Sequence, residues 1–134
     1  MSAGRKLGVS SGEVLDASAV LALLQREPGA EQVDLVGSVM NSVNFAEVVQ
    51  KSVERGRPVD TLLQELTLLG LILRPFSLEE AQLAGELIAV TRPYGLSLAD
   101  RACLATAKHL GCVAVTADRN WAVPEHGVKV RNIR

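Results

Sequence analysis

The sequence predicts an α/β fold: a three-layer α/β/α sandwich with a mostly parallel central sheet. Three observations predict it. Short strand-like runs alternate with helical stretches along the whole chain, the pattern of βαβ units. Cys112-Val-Ala-Val-Thr116 is an apolar run, as expected of a strand buried on both faces. The chain has 134 residues, of which 48% are hydrophobic, with a net charge of −1. That length suits one domain, and that composition excludes disorder.

The elements follow in order. Residues 1–12 are small and polar with Arg5 and Lys6, and read as a disordered N-terminal extension ahead of a single domain over 13–134. Glu13 to Asp16 is a short strand opening into a helix from Ala17 to Gln25, which Pro28-Gly29 ends. A short helix is expected over Ala30 to Leu35 and a strand over Ser38 to Asn41. The next helix runs from about Asn44 to Arg55, with Phe45, Val48, Val49 and Val53 on one face, and stops at Gly56. Pro58 falls near the first turn of a helix whose inner stripe is Val59, Leu62, Leu63 and Leu66. Leu71 to Leu73 is a strand before Pro75, and Ser77-Leu-Glu-Glu80 starts a helix to about Val90. Pro93-Tyr94-Gly95 is a turn. A helix over Ser97 to Leu110, ended by Gly111, carries Ala, Cys and Thr on its inner positions, small enough to lie close to a sheet. Val128 to Val130 is expected as the edge strand.

Several classes drop out. Cys103 and Cys112 form no CxxC pair and read as reduced, buried thiols. The first residues contain no apolar segment of a secretory signal. The longest apolar run, Leu66 to Leu73, is broken by Thr67 and Gly70 and falls far short of the ~20 residues that cross a bilayer. A cytoplasmic protein with no membrane partner is expected. With 14 basic and 15 acidic residues and only four aromatics, the chain also lacks, at first sight, the profile of a nucleic-acid binder.

The acids point elsewhere. In an open parallel sheet, ligands bind outside the carboxyl ends of the strands. Asp16 ends the first strand and Asp118 follows the last buried one. Glu47 and Asp100 fall in the first turns of helices that start at that same end. Each has an ordinary alternative. Asp16 suits a helix N-cap, Asn44…Glu47 and Ser97…Asp100 fit capping-box spacing, and Asp118 suits a turn. Capping does not require four acids at one sheet end, however. Such a group repels itself unless a cation is present, and oxygen-only ligands suit Mg²⁺ or Mn²⁺ rather than zinc.

Four segments carry a family resemblance. Val14-Leu-Asp16-Ala-Ser18-Ala, Asn44-Phe-Ala-Glu47-Val-Val, Leu96-Ser-Leu-Ala-Asp100-Arg-Ala-Cys-Leu-Ala and Thr116-Ala-Asp118-Arg-Asn-Trp121 resemble the PIN-domain nucleases. The closer resemblance is to VapC-type toxins of bacterial toxin–antitoxin pairs, over about residues 13–134. It implies a PIN-like fold and a Mg²⁺- or Mn²⁺-dependent endoribonuclease that hydrolyses RNA to 5′-phosphate and 3′-hydroxyl ends. A homodimer and a VapB-type antitoxin partner are also implied. Asp16, Glu47, Asp100 and Asp118 match the family's four acidic positions, and Ser18, Asn44 and Thr116 match supporting polar positions. Asp16 and Asp100 are assigned as direct metal ligands. Asp118 and Glu47 bind directly, bind through water or orient the nucleophile. Asp16 follows a longer leader than the family usually has.

Other residues have smaller parts. Arg101 and Arg119 each follow a site acid, where they hold substrate phosphates or pair with carboxylates. His109 and His126 are not needed for the chemistry, and Trp121 suits packing better than base stacking. Lys129, Arg131 and Arg134 extend an RNA path or form a solvated tail. Two other functions compete. A non-catalytic PIN-like module binding RNA or protein predicts lost acids, yet all four are present. A Rossmann-like phosphatase or nucleotide-binding enzyme lacks support: Asp16-Ala-Ser18 has no second Asp, and there is no GxGxxG or Walker A sequence. The charge balance also changes meaning. Without the four site acids, 11 acids face 14 bases, so the net charge conceals a basic remainder. Few aromatics then imply recognition through phosphates and RNA shape rather than stacking.

Overall fold

The structure is a computed structural model and describes residues 12–121 and 124–134. Five strands, β1 (Glu13–Leu15), β2 (Val39–Asn41), β3 (Ile72–Arg74), β4 (Val113–Thr116) and β5 (Val130–Asn132), form one sheet in the order β3-β2-β1-β4-β5. Every neighbouring pair is parallel. The first strand, β1, lies in the centre; the described chain builds outward through β2 and β3, then reverses to add β4 and β5 on the other side. The reversal makes the gap between β1 and β4 the switch point of the sheet, where ligand crevices form.

Among the described residues, six helices cover the two faces: α1 (Ala17–Gln25), α2 (Ser42–Glu54), α3 (Leu62–Leu68), α4 (Leu78–Glu86), α5 (Ile88–Thr91) and α6 (Leu98–Leu110). Side chains alternate across a strand, so neighbouring residues enter different layers. Leu15, Met40 and Val115 pack with Val20 of α1, Val48 of α2 and Leu66 of α3. Val14, Val39 and Ala114 pack with Ala84 of α4, Cys103 and Leu104 of α6, and Trp121. Those two cores are the outer interfaces of the predicted α/β/α sandwich. The small residues Ala102, Cys103, Ala105, Thr106 and Ala107 of α6 are all buried, which lets its axis approach the sheet. Trp121 is fully buried, a packing residue as expected.

Local differences have local causes. The helix expected from Asn44 starts at Ser42, because Asn41 takes the N-cap and its side chain accepts from Asn44 N at 2.7 Å. The helix begun by Ser77 breaks at Leu87 into α4 and α5. Residues 30–32 form one 3-10 turn rather than a helix to Leu35. Pro58 lies ahead of α3, and Leu63 is exposed while Leu62 and Leu66 are buried, as the i, i+4 spacing of an inner stripe requires. Cys112 precedes β4, and β5 is two residues later than the expected edge strand. The extension read over residues 1–12 lies, apart from Gly12, outside the described residues. Among the described residues, no helix is long and apolar enough to cross a membrane.

Candidate active site

Asp16 directly follows β1 and enters α1 as its N-cap. Its Oδ1 accepts from Ala19 N at 2.9 Å and its Oδ2 accepts from Thr116 Oγ1 at 2.7 Å. The Ser18 hydroxyl lies 2.8 and 2.9 Å from the two oxygens. Burial raises the Asp16 pKa from its ordinary value to about 7, despite those hydrogen bonds, and the nearby Asp100 charge adds to the rise. The capping expectation and the site expectation for Asp16 are therefore compatible.

Two helix N-termini face it. In α6, Ser97 and Asp100 form the expected capping box: Asp100 N donates to Ser97 Oγ at 3.1 Å, and Ser97 N donates to Asp100 Oδ2 at 2.9 Å. Burial raises the Asp100 pKa; the Ser97 bonds and Arg101 oppose this, and Asp118 reinforces it. In α2, Glu47 lies past the first turn and caps nothing. Its pKa is raised by burial, then by Asp100, with Lys51 opposing. The buried Asn44 donates from Nδ2 to Ala99 O at 2.9 Å, which fastens α2 to α6 and holds Glu47 opposite Asp100. The fourth acid follows β4. Asp118 N donates to Thr116 Oγ1 at 3.0 Å, and Asp118 Oδ1 accepts from Asn120 N at 2.8 Å, as in an Asx-type turn.

All four acids, Asp16, Glu47, Asp100 and Asp118, line a single cleft of about 210 Å³ at the carboxyl end of the sheet. Those donors are all oxygen, and no His or Cys joins them among the described residues. The Cys103 thiol lies behind the cleft, fully buried, with its pKa pushed well up by burial and by Asp16, Asp100 and Glu47. Its Sγ donates to Val14 O at 3.9 Å. No three acidic, His or Cys side chains among the described residues already crowd onto one point as a cage for an ion. Mg²⁺ needs no such cage, since it keeps several waters and binds through one or two carboxylates. Carboxylates that raise one another's pKa are the donor set such an ion relieves.

The family model of the PIN domain matches residues 14–126. The chain belongs to the PIN-domain family. No curated protein matches it. Solved structures do. VapBC from Salmonella typhimurium bound to DNA has a TM-score of 0.69 at 15% identity, covering 94% of this chain and 99% of that one. VapC20 from Mycobacterium tuberculosis, described as a sarcin–ricin loop cleaving toxin, has a TM-score of 0.66 at 14% identity, over 87% and 95%. FitAcB from Neisseria gonorrhoeae has a TM-score of 0.62 at 21% identity, over 90% and 97%.

Around this PIN-domain cleft the basic residues sort differently from the sequence expectation. Arg101 turns away and donates from Nη1 to Ala84 O at 2.7 Å, tying α6 to α4. Arg119 is exposed in a 3-10 turn, and neither arginine lines the cleft. Arg131 pairs with Glu13 at 2.8 Å, and Lys129 is exposed. His126 is buried: its Nδ1 accepts from Val128 N at 3.0 Å, which leaves Nε2 to donate to Trp121 O at 2.6 Å. His109 stands 4.0 Å from the exposed Glu79. Of the tail, Arg134 reaches the cleft, joined by Lys51, Arg55 and Glu27, which sequence reasoning passed over. A signal existed: 47, 51 and 55 follow the i, i+4 spacing of one helix face.

Proposed function

We propose that this protein is a divalent-metal-dependent endoribonuclease, the toxin of a type II toxin–antitoxin pair. The observation that carries the reading is the convergence of Asp16, Glu47, Asp100 and Asp118 on one cleft at the switch point of the sheet. Membership of the PIN-domain family supports the nuclease part. The toxin part rests on the similarity to VapC20 and to VapC and FitB proteins solved with their antitoxins. A VapB-type antitoxin, a homodimer and a cytoplasmic RNA substrate belong to the same proposal.

Asp16 and Asp100 are the assigned ligands for Mg²⁺ or Mn²⁺. Asp16 is held by Thr116, Ser18 and Ala19 N, so its oxygens are fixed before anything binds. Asp100 is fixed by Ser97. A bound divalent ion supplies charge to neutralise a scissile phosphate and acidifies the attacking water. Glu47 and Asp118 line the same cleft and would orient the attacking water. The raised pKa of Glu47 suits it to take the proton the water gives up. Ser18, Asn44 and Thr116 are positioning residues that fix the acids.

Cleavage of RNA by the purified protein in Mn²⁺, with 5′-end mapping of the products, tests the reading. Wild type is expected to cut at discrete sites, while Asp16→Asn and Asp100→Asn lose at least about a hundredfold in rate. Equal cleavage by the variants overturns the assigned site. No cleavage of any RNA favours a non-catalytic PIN module.

A further inference from the structure

The cleft is bipolar. Its acidic end has been described; its other end carries Lys51, Arg55 and Arg134. We propose that Lys51, Arg55 and Arg134 form a phosphate rail that grips the RNA backbone beside the scissile bond. The proposal rests on the ribonuclease reading of the acidic end.

The rail is built from two parts of the chain. Glu47, Lys51 and the C-cap residue Arg55 recur every four residues along α2, so they share one face. At 1.5 Å per residue, Arg55 lies about 12 Å beyond Glu47 along the helix. A strand engaged at the acids would thus meet the basic end with a neighbouring phosphate. Arg134 arrives from beyond β5. Its Nε donates to Pro28 O at 2.8 Å and its Nη2 stands 3.4 Å from Glu27. Glu27 also pairs with Arg55 at 3.3 Å, and Arg55 donates to the Gln25 side chain as well. One carboxylate therefore holds two guanidinium groups side by side. With Lys51, three positive charges stand against the single negative charge of Glu27.

Glu27 does not consume the arginines. Their side chains remain 43% and 33% exposed. Each guanidinium has five N–H donors, and the bonds described use Nη1 of Arg55 and Nε and Nη2 of Arg134. Exposed ion pairs add little to stability, so stability does not account for the cluster. A pre-aligned pair of forks matches the oxygens of a phosphate. The chain is poor in aromatic platforms for bases, which favours a grip on the RNA backbone over base stacking.

The test measures binding and cleavage in the 134-residue chain. Binding of a labelled, mixed-sequence single-stranded RNA is titrated against salt in the Asp100→Asn protein, where cleavage is slowed. Lys51→Ala, Arg55→Ala and Arg134→Ala are each expected to lower the salt slope by about 0.7, and the triple variant by about 2. Arg55→Lys keeps most of the slope, and Arg119→Ala leaves it unchanged. In the otherwise wild-type chain the rail variants raise KM while kcat holds. An unmoved slope in the triple variant overturns the rail, as does a loss caused by Arg119→Ala instead. A slope that falls as expected in a chain whose wild type cuts no RNA supports the rail and overturns the ribonuclease reading. Absence of any RNA binding overturns both.

Discussion

Thr116 Oγ1 donates a 2.7 Å hydrogen bond to Asp16 Oδ2, joining the ends of β4 and β1 across the switch point of the sheet. The same hydroxyl oxygen accepts from Asp118 N at 3.0 Å. Thr116 therefore orients two of the four cleft acids, and a one-atom change separates its packing from its polarity. Thr116→Val keeps the shape and removes the bond. The variant is expected to lose about 1–2 kcal/mol of stability, since a buried acid loses a donor. Losing a hydrogen bond that favours the carboxylate raises the Asp16 pKa further, so the acid limb of the activity profile moves to higher pH. Thermal melts and a pH–rate profile check both.

Asp16 also makes the metal-free protein sensitive to base. Its pKa is about 7 in the fold against 3.8 for a free side chain, and those of Asp100 and Glu47 are raised too. The folded state thus binds protons more tightly than the unfolded chain. The stability these groups contribute is complete below about pH 4 and is lost as pH rises through the folded pKa values. In EDTA, Tm at about pH 8 should fall below Tm at about pH 6. Mn²⁺ should reverse the trend, because it binds the ionised carboxylates and its stabilisation grows with pH. Melts at the two pH values, with and without Mn²⁺, measure it. A Mn²⁺ increment no larger at the higher pH defeats the prediction.

Glu80 has the opposite sign. It is fully buried, yet it accepts from Thr106 Oγ1 at 2.6 Å, from Ser77 Oγ at 2.6 Å and from Arg74 Nη1 at 3.2 Å. Asn41 Nδ2 donates to the same Thr106 hydroxyl at 2.8 Å, so the network joins β2, β3, α4 and α6. Burial pushes the Glu80 pKa up, but the Ser77 and Thr106 bonds and Arg74 outweigh it and leave it lowered. Its stability is present above the ordinary carboxylate range and is lost as pH falls through the lowered value. Glu80→Ala should cost about 3 kcal/mol, because Thr106 and Arg74 lose their partner. It should also weaken the acid dependence of urea unfolding below about pH 4.5.

The order of strands and helices was legible because each buried strand is a short apolar run and each helix has a cap or a stop. Ser97 with Asp100, Ser77 with Glu80, and Gly111 at φ 66 mark their helices as the sequence implies. Asn41 was harder, since as the last residue of β2 and the cap of α2 it leaves no turn between strand and helix. The acids were legible through their place after strands. Arg101 was not, because its length lets it reach Ala84 O on α4, and adjacency to Asp100 says nothing of direction. Arg55 and Arg134 meet only through Glu27, across 28 and 107 residues of chain, and local spacing cannot show such a meeting.

Gly29 ties that basic end to the fold. Its φ is +95, and a Cβ placed there would stand 2.3 Å from the Ile133 carbonyl oxygen, a backbone atom with little room to move. The close approach seats the chain end so that Arg134 reaches Pro28 O and Glu27. Gly29→Ala therefore combines backbone strain with a steric clash, and should cost more than the ordinary 0.5–1 kcal/mol of a glycine replacement, about 2–3 kcal/mol. The clash pushes Ile133 and Arg134 outward, so the variant should also lose the Arg134 share of RNA affinity while Asp16 and Asp100 keep their places. Urea unfolding gives the first effect. The second is read as a salt slope matching that of Arg134→Ala; a wild-type slope in a destabilised Gly29→Ala protein would show that Arg134 is seated independently of Gly29.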